Sequence, residues 1–140
     1  MIAQDSGNRE THLAAALARL EAKSGDPLAA LEYSAVAIRN YHDVGNTATM
    51  RANLAALAAC LDRLGRYEPA ATMAGFAFNP LTAMWFPEIN PAIVHLRDVL
   101  GDQTYEALAR KGETMTTAEM ATYAYDQIDQ ARAELNAVSK

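Results

Sequence analysis

The sequence predicts an all-α fold, and three observations carry the prediction. Alanine supplies 30 of the 140 residues, and alanine loses no side-chain entropy on entering a helix. Leucines and alanines recur at steps of three and four, whereas no stretch alternates strictly between apolar and polar residues as a half-buried strand would. Glycines fall between these periodic stretches, where a helix has to stop. Together they predict helical hairpin repeats followed by a helical C-terminal cap, about seven helices in all.

The first helix is expected from about Asn8 to Ser24, with Leu13, Leu17 and Leu20 on one side and Gly25 as its stop. Asp26 is then a good N-cap and Pro27 suits the first helical position, where no N–H is needed. Helix two carries Leu28, Leu31, Ala35 and Ile38 on one stripe and ends near Gly45. Asn46 is expected to cap helix three, which has the cleanest stripe: Met50, Leu54, Leu57, Leu61 and Leu64. Its flank of Ala48, Ala52, Ala55 and Ala59 is smooth enough for close approach of a neighbour.

"RLGRYEPAA", residues 63–71, reads as a turn between helices. Two glycine-terminated helices are each followed at once by another alanine-rich one. Gly7 and Gly45 stand 38 residues apart, and Gly25 and Gly65 stand 40 apart. That spacing is the mark of repeated helix-turn-helix units. Residues 1–78 are therefore expected to form two degenerate hairpins. Residues 79–140 should follow as a proline-punctuated loop and a three-helix C-terminal part of the same domain. "NPLTAMWFPEINP" (79–91) reads as that loop. Asn90-Pro91 should open a helix with Ile93, Leu96 and Leu100 inward. A short helix around Tyr105 and Leu108 should close at "RKG". Thr116 and Glu119 offer a capping box for the last helix, whose inward face is Met120, Ala124, Ile128, Ala131 and Leu135.

The repeated part resembles tetratricopeptide repeats through Asn53, Leu54, Gly65, Tyr67 and Ala70. It departs from their pattern at Ala55, where a glycine usually stands, and in a first helix about one turn too long. A narrower likeness joins "GNR", "LARLEA", "GDP" and "LGR" to "LRDVLGDQTYEALARKGETMTTAEMATYA". That order is similar to the C-terminal region of actinobacterial LuxR/AfsR-type signal-transduction ATPase regulators, some of them fused to adenylate cyclase domains. The resemblance implies a helical interaction or sensor region in a cytoplasmic bacterial regulator. ATPase or cyclase chemistry is not expected, because the chain has neither a phosphate-binding glycine loop nor a metal-binding aspartate pair.

The net charge of −5 argues against direct contact with nucleic acid, which needs a basic stripe. The uncharged run from Pro69 to Pro87, interrupted by Gly75, Asn79 and Pro80, is too punctuated to span a membrane. Cys60 stands alone in a helical pattern, so no disulfide or thiolate metal site is expected. His12, His42 and His95 lie far apart, and only His95 with Asp98 could share a face for proton transfer. No catalytic residue, metal or cofactor is expected.

What remains is surface. Arg51 and Asn53 fall where tetratricopeptide relatives bind peptides, with Arg51 able to reach a carboxylate. Met84, Trp85 and Phe86 form either a plug over the end of the repeats or an exposed anchor for a partner. The expected role is therefore non-catalytic: a protein-interaction or regulatory module for a protein or peptide partner, neighbouring domains or a second copy in a homodimer. The competing expectation is a small-molecule sensor with a pocket near Trp85, His95 and Tyr105.

Overall fold

The computed structural model describes residues 13–18, 20–21, 25–43, 45 and 47–139; at Ala48, Leu81, Trp85, Val138 and Ser139 it describes the backbone alone. Among the described residues there are eight helical segments and no strand. They are α1 (helical over 13–18 and 20–21), α2 (Pro27–Asp43), α3 (Thr47–Arg63), α4 (Tyr67–Ala77), α5 (Pro80–Trp85), α6 (Ile89–Leu100), α7 (Asp102–Glu113) and α8 (Thr117–Ser139).

The ends of these helices follow local chemistry. The Leu28 N–H donates to Asp26 Oδ1 at 3.0 Å, with Pro27 at the first helical position. At the α3–α4 turn, Gly65 takes φ +79°, its N–H reaches the Asp62 carbonyl at 3.0 Å, and Arg66 N–H reaches the Leu61 carbonyl at 2.9 Å. This is a Schellman ending, and it needs a residue without a Cβ at its left-handed position. The capping box closes both ways: Glu119 N–H to Thr116 Oγ1 at 3.1 Å, and Thr116 N–H to Glu119 Oε1 at 2.8 Å. The expected Asn8 start and Asn46 cap lie outside the described residues.

Three expectations need correction. The 79–91 loop contains α5, because Asn79 Oδ1 accepts the Thr82 N–H at 2.8 Å and Pro80 stands at the first helical position. Pro91 sits in the first turn of α6, where its missing N–H leaves no helical bond unmade. "RKG" does not close α7, since Gly112 lies inside the helix and Thr114 caps it. Finally, Leu13 and Leu20 face outward, 60% and 57% exposed, while Ala14, Ala15 and Ala18 turn to the core. Alanine lets the α1 backbone come closer than a leucine row would.

The core is continuous and runs through α3, which touches α2, α4, α5, α6 and α8. Met50, Leu54, Leu57 and Leu61 are fully buried there, as their spacing predicts. Arg51 is held at the side of this core, its guanidinium 4.1 Å from the centroid of the Phe76 ring and donating to the Phe76 carbonyl. Consecutive helices α2, α3 and α4 pack on one another, α4 then packs against α7, and α8 returns along the molecule to α2. The α4–α7 contact is backbone on backbone. A Cβ added at Gly75 would overlap the Ala109 carbonyl, and one at Gly112 would overlap the Thr72 carbonyl. These two glycines are required by proximity rather than by a turn.

Candidate functional site

The residues picked from the sequence do not converge. Asn53 is 0% exposed; its Nδ2 donates to the Thr49 carbonyl at 3.2 Å and its Oδ1 has no partner. An amide sealed in the core offers nothing to a groove, and Arg51 is tied to Phe76. The "MWF" segment is divided: Phe86 is 0% exposed, Met84 is 77% exposed, and the Trp85 side chain lies outside the described residues. Phe86 therefore belongs to the core, while Met84 is left in solvent.

His95 and Tyr105 also go separate ways. His95 Nδ1 lies 2.7 Å from Asp62 Oδ1 across the α3–α6 contact, with its ring edge-on to Tyr67 at 5.8 Å between centroids. Its partner is Asp62, not Asp98. The two residues His95 and Asp98 do share a broad depression of ≈ 800 Å³ at the α6–α7 junction, which Tyr105 does not line. Tyr105 is buried under the Arg97 guanidinium, 4.6 Å from its ring centroid, and burial pushes its hydroxyl pKa up. Arg97 is itself held by Glu106 at 3.1 Å and Asp102 at 3.5 Å. Among the described residues, His95 and Tyr105 are not brought to a common pocket.

A different set does come together, at the α3–α4 turn and α8. Gly65 turns the chain sharply and leaves Arg66, Tyr67 and Glu68 at the near end of α4. On α8, Tyr123, Gln127, Gln130 and Glu134 recur at helical spacing beside the buried row of Met120, Ala124, Ile128 and Ala131. The two groups line an open depression of ≈ 510 Å³, with Leu64, Gly65 and Pro69 also at its surface. Arg66 bridges it, with Nη1 2.6 Å from Glu134 Oε2 and Nη2 donating to Gln130 Oε1 at 3.1 Å. Beneath the bridge lies a pocket of ≈ 60 Å³ walled by Leu64, Ala131 and Leu135.

Two polar atoms of the depression's lining residues are themselves shielded from solvent and have no hydrogen-bond partner: the donor Arg66 Nε and the acceptor Gln127 Oε1. Unsatisfied buried polar atoms are rare because each carries a desolvation penalty of about 1–3 kcal/mol. Tyr123 is another of the lining residues, half-buried on α8. Burial pushes its hydroxyl pKa up, and a hydrogen bond with Thr72 pulls part of that back. The α8 spacing was visible in the sequence, but its partner Arg66 was not, since the two bridges span 64 and 68 positions.

Elsewhere, Cys60 is fully buried with its thiol 3.8 Å from the Pro27 carbonyl, and burial pushes its pKa up to about 11. Among the described residues, no group of His, Cys, Asp and Glu could hold a metal ion, and no helix is long and apolar enough to cross a membrane. No protein-family model, curated protein or solved structure matches the chain.

Proposed function

We propose that the chain is a non-catalytic polypeptide-binding module, built on tetratricopeptide-like hairpins and working within a cytoplasmic bacterial signalling or transcriptional regulator. The observation that carries this reading is the open, polar depression between the start of α4 and α8, lined by Arg66, Tyr67, Glu68, Tyr123, Gln130 and Glu134. The glycine-ended α3–α4 turn and the successive packing of α2, α3 and α4 support the hairpin part of it. The regulator setting rests on the resemblance of the sequence alone. Binding rather than chemistry is favoured because the polar groups of the cleft are arranged to hold, with no nucleophile–base pair among them.

Selection of random peptides displayed on phage against the full chain tests the proposal, followed by mapping of the winners on backbone amide resonances. Enriched peptides that shift signals of α4 and α8 are expected. Failure to enrich any peptide, together with a melting point that climbs with the free concentration of a metabolite, would transfer the role to the small-molecule sensor.

A further inference from the structure

We infer that α8 is a removable strap over the surface of α2, α3 and α4, and that an amphipathic helix carrying α8's own apolar stripe takes its place. The inference rests on the polypeptide-binding reading above and names the chemistry of the occupant. Helix α8 docks chiefly on α2, with lesser contacts to α3 and α4. For a helix of 23 residues the hold is light. Its buried side chains are Met120, Ala121, Ala124, Ile128 and Ala131, three of them alanines, whereas α3 buries Met50, Leu54, Leu57 and Leu61. Tyr123, Tyr125 and Leu135 are only partly covered. Alanine withdraws little apolar surface from water, so this row supplies much less than a row of leucines would.

The polar attachments are weak as well. Glu134 is 63% exposed where it meets Arg66, and solvent screens such a pair. The Arg39 guanidinium lies 5.9 Å from the centroid of the Tyr125 ring, near the limit of a cation–π contact. Arg66 Nε beside α4 and Gln127 Oε1 on α8 lack partners while α8 is down, and water satisfies both once it lifts. Lifting leaves α4 in place, because its backbone contact with α7 holds it. It bares Leu64, which shares a small pocket with Ala131 and Leu135. The occupant is read from the helix already seated there: apolar residues at 120, 124, 128 and 131, mostly small.

Native-state hydrogen exchange of the full chain, followed amide by amide, tests the strap. Residues 120–131 should exchange through an opening populated about tenfold or more above the one that frees the interior of α3. Gly75→Ala weakens the α4–α7 contact, so it should quicken exchange in α3 and leave α8 unchanged. Gly65→Ala, at the α3–α4 turn, serves the same purpose should the first variant not fold. A single exchange rate for α3 and α8, or quickening of both by these variants, overturns the strap. A fluorescein-labelled peptide of residues 117–139 tests the occupant by anisotropy. It should bind the Ile128→Ala chain about tenfold more tightly than the unaltered chain, whose own strap competes better. The same I128A change placed in the peptide should weaken its binding. Equal affinity for the two chains overturns the occupant. If phage-selected peptides bind without quickening exchange in α8, the interaction module survives and the strap falls. If neither they nor the α8 peptide bind, both fall.

Discussion

Helix α4 meets α7 and α8 by opposite means. Against α7 the backbones come together, Gly75 meeting the carbonyl and Cα of Ala109 and Gly112 those of Thr72. Against α8 its first turn stands off, and long polar side chains bridge a cleft of ≈ 510 Å³. The first contact is dry and is held by close packing, which tolerates no added atom. The second is open to solvent, and two polar atoms shielded beside it lack a partner. A scaffold has to be rigid on one side for an open cleft on the other to keep its shape, and α4 supplies both sides.

The largest effect should come from adding one methyl group to the dry contact. On an exposed helix, Gly→Ala stabilises by about 1 kcal/mol. Here the sign reverses: Gly112→Ala or Gly75→Ala forces backbones apart and should cost about 3 kcal/mol in urea denaturation. The double variant should cost less than the sum, because both residues open the same interface. A stabilised G112A protein would show that α4 and α7 do not touch in this way.

Next comes alkali, which probes the dry interior at Cys60. Its folded pKa is about 11 against an ordinary 9.0, so the folded state holds the thiol proton more tightly than the unfolded chain does. The stabilisation is complete below pH 9 and is lost as pH rises from 9 to about 11, on the order of 2–3 kcal/mol. The buried Tyr41 and Tyr105 and the half-buried Tyr123 and Tyr125 have pKa values raised in the same direction and add to the loss above pH 10. Cys60→Ala should flatten the early part of this fall in Tm against pH. The native thiol should react with a disulfide reagent at pH 8 only as fast as the protein opens.

Gly65 separates the two uses of glycine. Nothing crowds it, but its φ of +79° is one that other residues adopt at a cost. Gly65→Ala should lose about 1–2 kcal/mol and Gly65→Asn less, measured by thermal denaturation. The smallest effect belongs to the wet side. Gln127→Leu removes an acceptor that has no partner and should gain about 1 kcal/mol. A loss there would mean that Gln127 is already satisfied, and the contrast between the two faces of α4 would shrink.

Much of the helix plan could be read from the residues, because caps, stop glycines and stripes act within one or two turns of chain. Asp26, Gly65 and the Thr116–Glu119 pair do what their types predict. The misreadings came where a local signal has two meanings. Proline in "NPLTAMWFPEINP" marks a helix start as readily as a loop, and Asn79 decides for the start. Glycine inside "RKG" marks a contact as readily as an end, and only the Thr72 carbonyl beside Gly112 tells which. The leucines of α1 suggested an inward face, yet the alanine side is the one that packs.

By itself, then, the sequence determined that this chain is helical, where most of its helices begin and end, and which rows of α3 and α8 turn inward. Those are consequences of hydrogen bonds and periodicities that reach four residues or so along the chain. Tertiary structure alone decided that α8 folds back to α2, that Gly75 and Gly112 let two backbones touch, and that Arg66 meets Gln130 and Glu134. Each of these joins groups far apart in sequence, and such meetings are selected by the packing of whole helices rather than by any residue's own preference.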